Sequence, residues 1–267
     1  MNSGQDSRNQ VVYISGGTSG INLGIAKGFA ARGARVLVFG RDAAKAEAAA
    51  AEIRAIPGAG AVMAGSADVR DPAAVQVLFA RAVAELGAPD VVIAGAAGNF
   101  MAPAVGISPN GFKTVVDIDL LGTYNVFRIG FEVARKPGAS FIAITAPQGT
   151  HPLPQQVHVC AAKAGVNMVV KVLAMEWGQA GVRVNAISPG PIAGTEGVER
   201  MAPTPEIKAL WTERTALRRF GTPVDIANMA IFLSSSEGGY VTGSIVDCDG
   251  GMHLGDASGD FVTPPRR

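Results

Sequence analysis

Val11-Val12-Tyr13-Ile14-Ser15-Gly16-Gly17-Thr18-Ser19-Gly20-Ile21-Asn22-Leu23-Gly24 is the stretch whose reading settles the fold class. A short β-branched run passes directly into a glycine cluster, and a helical pattern over about 20–32 follows. Glycines let the chain turn sharply after a strand and let backbone amides approach an anion. The start of the next helix adds unpaired donors and the positive end of its dipole. Such a cluster alone also fits a plain strand–helix turn. Its place after a strand, before a helix and at the first crossover predicts a dinucleotide site built on Gly16, Thr18, Ser19, Gly20 and Ile21.

Outward from this turn, short β-branched runs alternate with longer Ala-rich stretches, the pattern of parallel strands joined by helices. Strands are expected at Val11–Ser15, Arg35–Phe39, Ala61–Gly65, Asp90–Ala94, Ser140–Thr145, Arg183–Ser188 and Ser244–Cys248. Helices are expected near 20–32, 43–55, 72–87, 111–135, 156–180 and 223–235. Several runs are apolar throughout, as in strands covered by helices on both faces. Asp71-Pro72 and Thr222-Pro223 read as helix starts, each a capping side chain followed by proline at the first turn. The stretch Pro189–Thr215 has four prolines and reads as a substrate lid over about 189–215. The polar end over about 255–267 reads as a loose tail.

Composition narrows the class. The 267 residues fit one α/β domain over 1–267, since such folds often run to about 250 residues undivided. With 48% hydrophobic residues the chain can bury a large core, so whole-chain disorder is excluded. The 23 Lys and Arg nearly cancel the 22 Asp and Glu, which argues against a nucleic-acid surface. No uninterrupted apolar run reaches the roughly 18 residues that span a bilayer, and Met1–Gln10 lacks the apolar stretch of a secretory signal. Cys160 and Cys248 cannot by themselves build a disulfide framework or a zinc site. The expectation is a soluble, cytoplasmic protein with no membrane, nucleic-acid or metal partner.

The end of the second strand bears on the cofactor. An acidic side chain there would take the ribose 2′-hydroxyl of NAD. Here Gly40 leaves space and Arg41 offers a guanidinium suited to a bidentate grip on a 2′-phosphate, which favours NADPH/NADP over NAD. The neighbouring Asp42 leaves NAD open, and Arg41 also fits a solvated surface charge.

Further motifs accompany the glycine turn: Asp68-Val69, Ala96-Ala97-Gly98, Lys163-Ala164-Gly165, Arg183-Val184-Asn185, Pro189-Gly190 and Asp249-Gly250-Gly251. Together they make nearly the whole chain resemble the short-chain dehydrogenase/reductases. The resemblance implies a Rossmann-type, doubly wound parallel sheet of seven strands and a homotetramer. It also implies cofactor contacts from Asp68, Val69, Ala96, Ala97, Gly98 and Lys163, with Pro189, Gly190 and Ile192 near the nicotinamide. The family's usual tyrosine, serine and central-helix asparagine are replaced by Val159, Ala146 and Asp119, while Lys163 remains. Asn22 stands where the last glycine of the turn is usual; its tolerance of left-handed backbone is expected to preserve the turn.

Reducing a ketone puts a hydride on carbon while the attached oxygen takes a proton, so an acid must lie within about 3 Å of that oxygen. Valine and alanine cannot donate. In a 2,4-dienoyl thioester the hydride enters at C5 and the charge moves to C2 and the thioester oxygen, so no donor is needed beside the accepting carbon. Ala97-Gly98-Asn99-Phe100, Phe112-Lys113-Thr114-Val115-Val116-Asp117-Ile118-Asp119, Gln156-Val157-His158 and Pro189–Gly197 resemble the peroxisomal-type 2,4-dienoyl-CoA reductases. That resemblance implies NADPH-dependent reduction of 2,4-dienoyl-CoA to 3-enoyl-CoA, with Asp119 and Lys163 catalytic and an acyl-CoA substrate. Asn99, Phe100, His158 and Arg200 are candidate substrate contacts, and Lys208, Arg218 and Arg219 are further candidates for CoA phosphates. Two other functions stay open: a 3-oxoacyl or hydroxysteroid-type dehydrogenase with a substituted proton donor, and a nucleotide-binding protein without chemistry.

Overall fold

The computed structural model describes residues 9–258. Its seven strands are β1 (Val11–Ser15), β2 (Arg35–Gly40), β3 (Val62–Ser66), β4 (Val91–Ala94), β5 (Ser140–Ile144), β6 (Arg183–Pro189) and β7 (Ile245–Cys248). All pair in parallel in the order β3-β2-β1-β4-β5-β6-β7, and each lies within one residue of its expected ends. This is the doubly wound Rossmann-type α/β sheet.

Every residue of β1 is buried, and its side chains alternate between two cores. Val11 and Tyr13 join Leu37, Phe39, Phe79, Phe127 and Phe141 under α3 (Pro72–Leu86), α5 (Gly122–Val133) and α6 (Val157–Trp177). Val12 and Ile14 join Val36, Val38, Ile93 and Ile142 under α1 (Gly20–Ala30), α2 (Ala43–Arg54) and α9 (Pro223–Ser234). A strand with period two must be apolar throughout when both faces are covered.

Two expectations need correction, and the lid stretch gains detail. The helix expected at 111–135 is α4 (Pro109–Val116), a π-turn (Asp117–Leu121) and then α5; Ser108 caps its start through the Gly111 amide at 3.0 Å. The lid stretch 189–215 carries regular structure, α7 (Glu196–Met201) and α8 (Pro205–Arg214). Thr195 and Thr204 cap these two helices, and Pro205 takes the first turn of α8, where its missing N–H costs nothing. The tail, finally, is held where it is described: Asp256 pairs with Arg214 at 2.9 Å, and Ala257 accepts a bond from Arg218 at 2.7 Å. The remainder of the tail, 259–267, lies outside the described residues.

The apolar-run argument against a membrane also needs amending. Val157–Ala180 is long and apolar enough to cross a bilayer. Half of that span is buried within the protein, and it carries Lys163 in an internal ion pair, as befits a core helix.

Candidate active site

The chain winds outward from β1 to β3 and returns to β4 beside β1, so a crevice opens at the carboxyl ends of these two neighbours. The glycine turn forms one wall. Gly16 (φ +67°) approaches the loop after β4 so closely that a Cβ would fall 2.8 Å from the Ala96 nitrogen. At Gly20 (φ +55°) the nearest atom to a Cβ would be Thr195 Cγ2, 3.8 Å away, so the turn faces the segment that follows β6. Asp42, Asp71 and Thr222 cap α2, α3 and α9, whereas α1 has neither a side-chain cap at Ser19 nor an acidic residue in its first turn. Its opening amides are therefore left for an anion.

Asn22 holds the turn by a different means from the one expected. It lies within α1, not in left-handed backbone, and its Nδ2 donates to the Gly95 carbonyl at 2.7 Å. Gly95 has no room for a side chain, because a Cβ would overlap that amide. Close helix packing is made instead by Gly24, whose Cβ would overlap the ring of Pro223 on α9.

Arg41 is exposed at the end of β2, and Asp42 accepts from the Lys45 amide at 3.0 Å, which commits its carboxylate to capping α2. Asp68 is gripped by Arg70, with Nη2 at 2.6 Å and Nε at 3.0 Å. Those hydrogen bonds hold the Asp68 carboxyl below its usual range, with Arg41 a smaller contributor. Val69 is buried beside Gly122, and its carbonyl accepts from Asn125 at 2.9 Å. Gly190 passes so close to β7 that a Cβ would fall 2.7 Å from Asp249 Cα, while Ile192 is buried and bridges to Gly221.

The π-turn supplies the centre of the site. It brings Asp119, only 1% exposed, toward the loop after β4. Asp119 Oδ1 accepts from the Gly98 amide at 2.6 Å, and Oδ2 lies 3.1 Å from Lys163 Nζ. Lys163 is also buried and donates to the Ile144 carbonyl at the end of β5, 3.1 Å away. A carboxylate, an ammonium and a backbone amide thus meet where β4 and β5 end. Val159, one helical turn before Lys163, packs with Val115 and Ala162 and brings no polar atom.

His158 is fully buried, with the Phe100 ring centroid 4.2 Å from its own. Apart from the Phe100 backbone, neither ring nitrogen has a hydrogen-bond partner among the described residues. Burial pushes its pKa down, outweighing the pull of the Phe100 backbone and of Asp119. Around it runs an amide chain that sequence reasoning missed. Gln148 Nε2 donates to Gln156 Oε1 at 2.8 Å, and Gln156 Nε2 donates to Asn99 Oδ1 at 3.1 Å. The only signal for Gln156 was its place in the Gln156-Val157-His158 triplet.

Arg200 on α7 donates to the Asn99 carbonyl at 3.1 Å and pairs with Glu196. The other candidate phosphate contacts are also engaged internally: Lys208 with Glu199, Arg219 with Asp225, and Arg218 with the carbonyls of Glu213 and Ala257. The structure thus brings Asp119, Lys163, Gly98, Asn99, Phe100 and His158 together with the tip of α7. Lys208, Arg218 and Arg219 are tied into ion pairs or carbonyl contacts.

Known proteins place this geometry in a family. A family model described as enoyl-(acyl carrier protein) reductase matches residues 16–253. The peroxisomal 2,4-dienoyl-CoA reductase [(3E)-enoyl-CoA-producing] of Pongo abelii is 38% identical over 248 residues, covering 92% of this chain and 85% of that protein. A probable 2,4-dienoyl-CoA reductase [(2E)-enoyl-CoA-producing] of Bacillus subtilis is 36% identical over 248 residues, covering 92% and 97%. The crystal structure of a short chain dehydrogenase from Bacillus anthracis superposes with a TM-score of 0.80 at 36% identity, covering 93% of this chain and 98% of that one. With the sheet order, the glycine turn and these matches in agreement, the chain belongs to the short-chain dehydrogenase/reductase family and is an oxidoreductase.

Proposed function

We propose that this oxidoreductase reduces 2,4-dienoyl-CoA to 3-enoyl-CoA with NADPH. The observation that carries the reading is the buried Asp119–Lys163 pair beside the Gly98 amide, with Val159 one helical turn before the lysine and no hydroxyl there. Such a site lacks the acid that a ketone needs next to the accepting carbon, and it suits conjugate reduction, where charge appears elsewhere. The names of the relatives from Pongo abelii and Bacillus subtilis point the same way.

The residues present suit a nicotinamide dinucleotide. The uncapped start of α1, the close approach at Gly16 and the open space at Gly20 form a cradle for the pyrophosphate. When bound, the reduced nicotinamide supplies the hydride that enters C5 of the diene. Lys163 binds the nicotinamide ribose, and its positive charge favours the dienolate. Asp119, fixed by the Gly98 amide, orients the water that gives C2 its proton, which leaves the double bond between C3 and C4. Asn99 and Phe100 line the acyl side, and α7 and α8 close over it as a lid. Assembly into a homotetramer belongs to the same reading, supported by the exposed apolar row Met168, Val172 and Met175 on α6.

The direct test mixes protein, NADPH and a series of 2,4-dienoyl-CoA chain lengths. Cofactor and diene absorbance are expected to fall together, while 3-oxoacyl-CoA leaves NADPH unconsumed. Turnover of the ketone without turnover of any diene would overturn the reading. For the cofactor, Arg41→Ala is expected to raise the KM for NADPH about 10- to 100-fold, the effect of losing a charged hydrogen-bonded grip, and to leave the KM for NADH unchanged. Equal effects on both cofactors would remove Arg41 from 2′-phosphate recognition.

A further inference from the structure

The Asp119–Lys163 pair leaves one requirement of conjugate reduction unmet. Charge builds on the thioester oxygen, at the opposite end of the conjugated system from C5, and a preorganised donor there is what lowers the barrier. We propose that His158 is that donor: its imidazole N–H binds the thioester carbonyl oxygen of the substrate, making His158 a catalytic residue separate from Asp119 and Lys163. The inference rests on the dienoyl-CoA reading above and deepens it.

The imidazole is fully buried, and apart from the Phe100 backbone neither nitrogen has a partner among the described residues. Buried polar side chains in folded proteins are nearly always hydrogen-bonded, so a ring with an unpartnered nitrogen beside a substrate site calls for a ligand. Burial keeps the ring in its neutral form, which carries one N–H to donate and no net charge to solvate. The neighbours are anchored. Ala102 donates to the Gln155 carbonyl at 3.0 Å, Asn99 is held by Gln156, and Arg200 ties the Asn99 carbonyl to α7. Phe100, 39% exposed, is the side chain lying over the imidazole, so displacing that ring uncovers His158 without unpicking the network. His158 stands five residues before Lys163, about 140° away around α6, so the two side chains leave the helix in different directions.

His158→Leu removes the donor without adding a polar atom, so the variant is expected to keep its melting temperature and its affinity for NADPH. Its kcat on 2,4-dienoyl-CoA is expected to fall about 10²- to 10³-fold, the range for loss of one oxyanion donor. His158→Gln, which retains an N–H, is expected to recover at least tenfold of that loss. A second measurement does not depend on turnover. Binding of the dienoyl-CoA to the enzyme with NADP⁺ is expected to shift the thioester absorbance to longer wavelength in the wild type, and not in His158→Leu. Should His158→Leu fail to fold, His158→Phe, which also packs on Phe100, takes its place in both measurements. A leucine variant that turns over dienoyl-CoA within threefold of wild type, or that keeps the absorbance shift, overturns the role of His158. A wild-type protein that neither binds nor reduces any dienoyl-CoA overturns the underlying functional reading instead.

Discussion

Asp119→Asn is expected to lower kcat on 2,4-dienoyl-CoA by about 10² to 10⁴ while the protein still folds, the range for loss of general acid–base assistance. An asparagine that keeps its oxygen for the Gly98 amide turns its NH2 group toward the Lys163 ammonium. Removing one partner of a buried pair leaves the other charge uncompensated, so the variant is also expected to lose up to about 3–5 kcal/mol of stability. Lys163→Met has the converse defect, a buried carboxylate left without its counter-charge. The decisive measurement is the double variant. If the two residues act as one unit, Asp119→Asn with Lys163→Met is no slower than the worse single variant, and its melting temperature exceeds that of either. Losses in kcat that multiply, or rates within tenfold of wild type, would show that the pair does not carry the chemistry.

Gly24→Ala is expected to be the most damaging single methyl on the outer face of the sheet. On an open helix, alanine in place of glycine is worth up to about 1 kcal/mol of stabilisation. Here the new Cβ would overlap the Pro223 ring and lie 3.2 Å from Pro223 Cα. Pro223 cannot retreat easily. It begins α9, where Thr222 and Asp225 form a capping box, and Asp225 is held in turn by Arg219 at 2.9 Å. The two helices must separate, and overpacking of this kind costs typically 1–3 kcal/mol and occasionally more. A net loss of about 1–2 kcal/mol corresponds to a fall in Tm of roughly 2–8 °C for a protein of this size. Gly197→Ala is the control: on α7, with nothing within 4 Å of its Cβ, it is expected to be neutral or slightly stabilising. Equal melting temperatures for the two variants would refute the packing argument.

These residues also show how much was legible beforehand. The strands were readable because each is a short β-branched run bounded by polar or glycine residues, and covering on both faces makes such runs apolar throughout. The pairing of Asp119 with Lys163 followed from matched motif positions. The bond from Asn22 to Gly95 did not, because nothing in a sequence says which carbonyl a helical amide will find 73 residues away. The π-turn at Asp117–Leu121 was equally hidden. The residues on either side continue the same apolar pattern, so periodicity alone draws one uninterrupted helix. No helix was expected in the lid stretch, yet Pro205 sits in the first turn of one, the one place where proline is favourable.

The bare beginning of α1 has a consequence for the life of the protein in its cell. A helix start whose missing cap is supplied by a nucleotide reaches full stability only when that nucleotide is present. Ligand at a hundred times its Kd adds about 2.7 kcal/mol to the folded state by mass action. Under the proposed reading, the nucleotide in either redox state would act as a chaperone for the fold, and a fall in its total concentration would shorten the lifetime of the enzyme.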